Sequence, residues 1–283
     1  MPRTVYVNGD YLPEDQATVS IFDRAFLMAD GVYEVTSVLG GKLIDFDGHL
    51  VRLQRSLDEL EIRNPLNRED WLAIHRQLVT ENGIDEGLVY LQVTRGAPGD
   101  RDFAFPPADT PPTVVLFTQN KPGLADSPAA KQGIKVISIE DQRWARRDIK
   151  TVMLLAPALG KQEAYEKGAH EGWMVEDGFV TEGTSSNAYI IKDGKVITRP
   201  LSNSILAGCT RRSLFRLAKD HGVEIEERAF TPEEAYEADE AFLTSASQFV
   251  MPIVEIDGHR IGGGQPGPVT RTLRELFLEE AGK

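Results

Sequence analysis

Cysteine is nearly absent: Cys209 stands alone in 283 residues, so no intramolecular disulfide can form and a disulfide-stapled secreted fold is unsupported. Basic charge is also short. Against 44 Asp and Glu there are 31 Lys and Arg, and the resulting net charge of -13 argues against a general nucleic-acid or anionic-membrane surface, which clustered cations normally provide. Any phosphate site must therefore be local. The histidines at 49, 75, 170, 221 and 259 are not spaced with one another or with the cysteine as metal ligands usually are, so no catalytic metal is expected. No apolar run approaches the roughly 20 residues that span a bilayer, and Met1 to Asp10 lacks a basic segment followed by an apolar core. A soluble, cytoplasmic, untargeted chain is the expectation. No internal repeat or low-complexity segment stands out.

What the chain does have is strands and helices mixed in both halves. Thr4 to Val7, Gly31 to Val38 and Lys42 to Phe46 read as strands, joined in part through turns at Asn8-Gly9 and Gly40-Gly41. Asp47 is placed to cap a helix with an apolar stripe of Leu50, Leu53, Leu57 and Leu60; Asn67 is placed to cap another carrying Trp71, Ile74 and Leu78. Val89 to Thr94 and Thr113 to Thr118 follow as strands. Residues 119–132, with two prolines, a glycine and no periodicity, read as a linker. Beyond it come a strand at Ile134 to Ile139, a helix over Leu154 to Lys167, short strands between Trp173 and Val196 broken at Asp177-Gly178 and Asp193-Gly194, and a helix over Arg211 to His221. Thr231 with Glu234 reads as a capping box, Ala241 to Thr244 as a strand and Val269 to Glu280 as a last helix. Hairpin signals without regular strand-helix alternation favour an α+β class with two domains, 1–118 and 133–283, over one doubly wound sheet.

Two segments carry the chemistry. Lys150 closes Arg146-Arg147-Asp148-Ile149-Lys150, and 32 residues later Glu182 stands in Val180-Thr181-Glu182-Gly183-Thr184-Ser185-Ser186-Asn187. An amine that holds a cofactor aldehyde and a carboxylate that keeps a pyridine nitrogen protonated are the two poles a pyridoxal-phosphate site needs. Either alone has a plain reading: Lys150 is one of eleven lysines, most of which are solvated in any protein, and Glu182 serves as well to stabilise a turn among hydroxyls. Arg146 and Arg147 read equally as a solvated basic turn. A phosphate needs donors without bulk. Leu206-Ala207-Gly208-Cys209-Thr210-Arg211 delivers small residues into a helix start, where amides and the Thr210 hydroxyl would face an anion along the helix dipole, although Thr210 is also an ordinary N-cap. Thr244-Ser245-Ala246-Ser247 is a second small-hydroxyl segment, and Arg52 is placed to add a guanidinium.

Several of these motifs, in order along nearly the whole chain, resemble the class IV pyridoxal-phosphate aminotransferases, and among them most closely the bacterial D-amino acid transaminases. The resemblance runs through Phe22-Asp23-Arg24, Asp30-Gly31-Val32-Tyr33-Glu34-Val35, His49-Leu50-Val51-Arg52-Leu53, Tyr90-Leu91-Gln92-Val93-Thr94-Arg95-Gly96, the Lys150 and Glu182 segments, and Pro252-Ile253-Val254-Glu255-Ile256-Asp257-Gly258. It implies a fold-type-IV enzyme of two α/β domains, the cofactor in the cleft between them, and a homodimer. Lys150 would then bind the aldehyde and shuttle the proton, and Glu182 would pair with the pyridine nitrogen. Arg52, Cys209, Thr210, Ser245 and Ala246 would surround the phosphate, Leu206 would pack on the ring face, and Tyr33 and Tyr90 would line the substrate side. Without the resemblance, Leu206 is a core leucine and the tyrosines are strand aromatics.

Two positions depart from the family pattern. Ala246 stands where a threonine is frequent, which leaves only its amide for the phosphate. In Gly99-Asp100-Arg101-Asp102-Phe103-Ala104-Phe105-Pro106, an Arg-x-His pair that traps the substrate carboxylate keeps Arg101 but has Phe103 for the histidine. One guanidinium still binds a carboxylate with two prongs, although Asp100 and Asp102 offer Arg101 the alternative of a solvated ion-paired loop. The reading is transfer of an amino group from a D-amino acid to a 2-oxo acid. Its rivals are a branched-chain L-amino acid aminotransferase, an (R)-selective amine transaminase, an aminodeoxychorismate lyase and a non-catalytic binding protein of the same fold.

Overall fold

The computed structural model of the chain describes residues 2–282. It divides into two compact units. The first runs to Pro122 and takes in Ile149–Met153; the second comprises Gly123–Asp148 and the chain from Leu154 onward. A linear division by composition has no means of returning Ile149–Met153, the segment of Lys150, to the first unit.

The first unit contains β1 (Thr4–Val7), β2 (Asp10–Pro13), α1 (Arg24–Met28), β3 (Gly31–Leu39), β4 (Lys42–Leu43), α2 (Phe46–Glu59), α3 (Arg68–Glu81), β5 (Gly87–Thr94) and β6 (Thr113–Asn120). Its six strands pair antiparallel in the order β2-β1-β6-β5-β3-β4. Asn8-Gly9 and Gly40-Gly41 have positive φ at both central positions of two-residue loops, the twist that lets a short hairpin close. β3 and β5 pair in one register from Gly31↔Thr94 to Val38↔Gly87. Alternation then sends Val32, Glu34, Val89, Leu91, Val114 and Leu116 to a buried face and leaves Tyr33, Val35, Tyr90, Gln92 and Phe117 half-buried on the other.

The helix after β4 differs in detail from expectation. The strand stops at Leu43, and α2 begins at Phe46 behind Asp45 rather than being capped by Asp47, whose carboxylate instead takes Arg68 at 2.7 Å. Leu53 and Leu57 are buried, whereas Leu50 and Leu60 are only half-buried. A second stripe at the same spacing, His49, Arg52 and Ser56, is buried beside them. The helical period serves both stripes, and leucine counting finds only the apolar one.

The second unit contains α4 (Pro128–Gln132), β7 (Ile134–Glu140), α5 (Leu155–Glu166), β8 (Glu171–Glu176), β9 (Phe179–Gly183), β10 (Asn187–Lys192), β11 (Lys195–Thr198), α6 (Cys209–Asp220), β12 (Ile225–Glu227), α7 (Pro232–Tyr236), β13 (Glu240–Ser245), β14 (Phe249–Ile256), β15 (His259–Arg260) and α8 (Pro268–Ala281). Its mixed sheet runs β12-β11-β10-β13-β14-β7-β8-β9, with β15 paired to β14. The core gathers Ile134, Trp173, Ile190, Leu243 and Ile253 from the central strands, with Phe230 among them. The stretch read as a linker is partly regular: β6 extends to Asn120, and Ser127 caps α4 with Pro128 opening the helix. The capping box is half formed. Thr231 accepts from the Glu234 amide, but the Glu234 carboxylate turns to Arg228. Among the described residues no helix is long and apolar enough to cross a membrane.

Candidate active site

Lys150 is held in the first unit by its backbone. Its carbonyl accepts from the Tyr33 amide at 3.0 Å and Val152 donates to the Gly31 carbonyl at 3.0 Å, so 150–152 runs beside the start of β3, with a bridge between Thr151 and Val32. Ser56 of α2 accepts from the Lys150 amide at 3.3 Å. With the main chain fixed on two sides, the amine has one short reach: Nζ stands 4.2 Å from the centre of the Tyr33 ring. Tyr33 stacks on Tyr90 (5.7 Å) and Tyr90 on Phe117 (4.7 Å), so the amine sits at the end of a row of half-buried aromatic rings. Burial, with Tyr33 adding, pushes the Tyr90 hydroxyl well above its ordinary range; as a neutral group it donates to Gln92 at 2.8 Å.

On the other face of β3, Glu34 is buried and accepts from Arg52 Nε (2.8 Å) and Nη2 (2.7 Å), with His49 Nδ1 2.7 Å away. Burial alone would raise this carboxyl. Arg52 and then His49 outweigh it and hold Glu34 far below the usual carboxylate range. Arg52 is thus a buried guanidinium fixed side-on, the geometry a phosphate-binding arginine needs. A charged residue between valines on the inward face of β3 is the sequence signal for Glu34.

The loop carrying Arg101 is gripped from its backbone. Arg24 Nη1 donates to the carbonyls of Asp102 (2.6 Å) and Ala104 (3.2 Å), and Arg95 lies 3.6 Å over the Phe105 ring; Asp30 pairs with both arginines at 2.7 Å. Arg101 stands over the ring of Phe103 at 4.6 Å, and Phe103 is 77% exposed. The ring that replaces the family's histidine thus lies against the Arg101 guanidinium.

In the second unit, Glu182 lies in β9 rather than in a turn, and it is buried. Oε1 accepts from Arg143 Nη1 at 2.5 Å; Oε2 accepts from Asn187 Nδ2 and from the Leu206 amide, both at 3.0 Å. Burial holds the Glu182 carboxyl above its ordinary value, with the Arg143 cation opposing the rise. Arg143 stays charged despite its own burial, because Asp141 takes Nε (2.9 Å) and Nη2 (2.7 Å) while Glu182 takes Nη1. Asp141 also accepts from Thr181 Oγ1 at 2.7 Å and, against burial, is held low by Arg143. The arginines that sequence reading set beside Lys150 point elsewhere, Arg146 to Asp148 and Arg147 to Glu176. Arg143 was missed because nothing in the spacing of Asp141, Arg143 and Glu182 joins them. The hydroxyls after Glu182 serve a different group: Thr184, Ser185 and Ser186 all turn to the buried Glu171.

Asn187 links Glu182 to the start of α6. Its amide donates also to the Leu206 carbonyl at 2.9 Å, and a Cβ on Gly208 would stand 2.2 Å from its Oδ1, so only glycine lets α6 begin this close. α6 starts at Cys209 behind Gly208, which supplies no side-chain cap; Cys209 and Thr210 are buried in its first turn. A helix start of this kind favours an anion through its amides and dipole. Asn187 pairs with Thr244, which brings the end of β13 alongside; Ser245 and Ala246 follow, half-buried, with Ser245 Oγ 3.4 Å from Ser247 Oγ. Glu182, Leu206, Cys209, Thr210 and Ser245 thus come together in one unit, as Lys150, Tyr33 and Tyr90 do in the other.

The second unit by itself offers groups that suit a pyridoxal phosphate, a helix start without a side-chain cap for the anion and a buried carboxylate for the ring nitrogen; the first offers a fixed guanidinium of the kind that binds a phosphate. The family model for amino-transferase class IV matches residues 31–256, a span that contains all of these residues. A D-alanine aminotransferase of Staphylococcus aureus (strain MSSA476) is 36% identical over 273 residues, covering 96% of each chain. The D-alanine aminotransferase of Bacillus licheniformis is 37% identical over 284 residues, 99% of each. Among solved structures, a branched-chain amino acid aminotransferase of T.th. with pyridoxamine 5'-phosphate matches with a TM-score of 0.90 at 26% identity, over 99% of this chain and 94% of that one.

Proposed function

Because this chain belongs to the class IV aminotransferases, we propose that it moves an amino group from a D-amino acid such as D-alanine to a 2-oxo acid such as 2-oxoglutarate, in two half-reactions, with pyridoxal 5'-phosphate as cofactor. The observation that carries the reading is the buried Glu182 with its carboxylate fixed by Arg143, Asn187 and the Leu206 amide. A buried carboxylate needs a cation, and a protonated pyridine nitrogen is one. When bound, the cofactor supplies an electron sink for the charge left at the donor α-carbon.

The chain's own residues divide the remaining work. Lys150 would hold the cofactor aldehyde through its amine, and the same amine would carry the proton to and from the donor α-carbon. Arg52, the Cys209 and Ala246 amides, Thr210 and Ser245 bind the phosphate, and Leu206 packs against the ring. Tyr33 and Tyr90 line the substrate side, and Arg101 takes the substrate carboxylate with Phe103 beneath its guanidinium. The active form is a cytoplasmic homodimer.

A second reading has specific support: the solved relatives with a TM-score near 0.9 are named branched-chain amino acid aminotransferases. The relatives at 36–38% identity over nearly the whole chain are named D-alanine aminotransferases, which favours the D-amino acid donor. Purified enzyme assayed with D-alanine, D-glutamate, L-leucine and (R)-1-phenylethylamine decides between them. D-alanine is expected to be turned over, and Lys150→Ala is expected to be inactive and to lose the near-visible cofactor band. Turnover of L-leucine alone sinks the D-amino acid assignment. Borohydride-trapped cofactor on another lysine sinks the role of Lys150.

A further inference from the structure

Asp141, Arg143 and Glu182 form a buried trio with two carboxylates and one guanidinium. Side-chain exposure is 0% for Asp141, 11% for Arg143 and 5% for Glu182, so water screens none of the three charges well. The trio carries one negative charge in excess. The nearest other cation, Arg147, is 3.5 Å from Asp141, but it is matched in turn by Glu176 at 2.6 Å. The other groups facing Glu182, Asn187 Nδ2 and the Leu206 amide, are neutral donors, and Thr181 Oγ1 gives its proton to Asp141. A surplus charge in such a place is costly unless something positive completes it.

The division of the guanidinium is specific. Asp141 takes the Nε and Nη2 edge, which leaves Nη1 directed at Glu182 Oε1. Asp141 therefore does two things. It fixes the angle at which Arg143 meets Glu182, and it uses up the charge that would otherwise neutralise Glu182 outright. Arg143 in its turn opposes the burial that would make Glu182 take up a proton. A neutral Glu182 would offer the ring nitrogen no charge to stay protonated against.

We propose that Arg143 and Asp141 are positioning residues for Glu182: Arg143 opposes its protonation, Asp141 fixes the guanidinium that does so, and the two leave one negative charge of the buried trio unbalanced, which holds the cofactor's pyridine nitrogen protonated. The inference rests on the pyridoxal-phosphate reading above. Neither residue touches the cofactor in this scheme, and each acts through the Glu182 carboxylate.

Two measurements test it on the full chain. The first needs no cofactor: the Glu182 carboxyl is followed by carbon-13 NMR as pH is varied, its signal assigned by its loss in Glu182→Gln. In Arg143→Gln the carboxyl is expected to titrate about one pH unit or more above its position in the unaltered chain, with Arg143→Lys returning part of the way. An unchanged titration in Arg143→Gln overturns the proposal. The second uses protein loaded with nitrogen-15 pyridoxal phosphate. The ring nitrogen is expected to be protonated in the unaltered holoenzyme and to shift toward the unprotonated position in Arg143→Gln and in Asp141→Asn, with kcat lowered about tenfold or more and KM nearly unchanged. A ring nitrogen that stays protonated in both variants overturns the proposal, as does equal loss in Arg143→Lys and Arg143→Gln. If the chain takes up no pyridoxal phosphate, the proposed function fails on its own, and the carboxyl titration still decides the coupling of Arg143 to Glu182. Should Arg143→Gln fail to fold, Asp141→Asn and Arg143→Lys carry both measurements.

Discussion

The two units bury their charges with opposite bias. In the first, a single carboxylate, Glu34, faces a guanidinium and an imidazole; in the second, a single guanidinium, Arg143, faces two carboxylates. Both clusters sit on strands under helices or loops that exclude water, and neither is a surface ion pair of small worth. A buried cluster with a carboxylate to spare suits a cation. A protonated pyridine nitrogen is such a cation. The chemistry of the second unit is therefore written in the charge its cluster leaves unbalanced rather than in how many charges it holds.

That contrast can be broken most directly by removing one carboxylate from each unit. Glu34→Ala removes the buried carboxylate that Arg52 and His49 share and is expected to destabilise the fold by about 3–5 kcal/mol, read from urea denaturation. Glu182→Gln leaves Asp141 and Arg143 as a balanced pair, so the same denaturation experiment is expected to show a loss of about 1 kcal/mol or less. Its cost appears in catalysis instead: roughly 100- to 1,000-fold in the single-turnover rate with D-alanine, the scale of losing one electrostatic stabiliser from a water-excluded site. Equal destabilisation by the two substitutions would end the claim that the clusters are oppositely biased.

The first unit also holds buried histidines, whereas the histidines of the second are exposed. His75 is buried, donates through Nδ1 to the Trp71 carbonyl at 2.7 Å and meets the Phe46 ring edge-on; burial lowers its pKa to about 4. Unfolded, it titrates near its ordinary value of 6.5. Between these values the unfolded chain binds a proton that the folded chain does not, so stability falls as pH drops from about 6.5 to about 4, by roughly 3 kcal/mol over the window. The difference between the unaltered chain and His75→Gln, followed by denaturation at several pH values, is expected to lose its pH dependence above about 6.5. A flat difference throughout would place the imidazole in contact with water.

Smaller effects sharpen the picture. Arg101→Ala is expected to raise KM for D-alanine about 10- to 100-fold, the worth of a charge-assisted carboxylate contact, while leaving the cofactor spectrum unchanged. A KM that does not move removes Arg101 from substrate binding. The helix caps should be alike in both units: Asn67→Ala at α3 and Thr231→Ala at α7 are each expected to cost about 1 kcal/mol in thermal denaturation. A large difference between them would mean that one cap is also a tertiary contact.

Much of this was legible beforehand, for particular reasons. Asn67 and Thr231 cap their helices because a short polar side chain can reach an amide three residues on, a local event that sequence spacing describes fully. Asn8-Gly9 and Asp193-Gly194 turn tightly because positive φ is needed at two successive residues. Asp47 and Glu234 were misread for the opposite reason: each had a local role open to it and took an arginine elsewhere instead. Arg52 is legible in the sequence as a candidate guanidinium, but that it shares a buried stripe of α2 with His49 and Ser56 depends on Glu34 lying under them.

By itself the sequence determined the mixed α and β elements, most of their hairpin turns and caps, the poverty of disulfides and of basic surface, and which lysine and glutamate to single out. These are matters of residue type, period and short-range hydrogen bonding. Only the tertiary structure decided that Lys150 returns to the first unit beside β3, that Glu182 sits in a strand with Arg143 against it, and that Arg101 lies on Phe103. Those facts depend on which strands become neighbours and on where buried charges find partners across 39 residues of chain, as Arg143 and Glu182 do. Partners that far apart are chosen by the packing of the core and the cost of leaving a charge alone inside it, and no spacing rule along the chain encodes that choice.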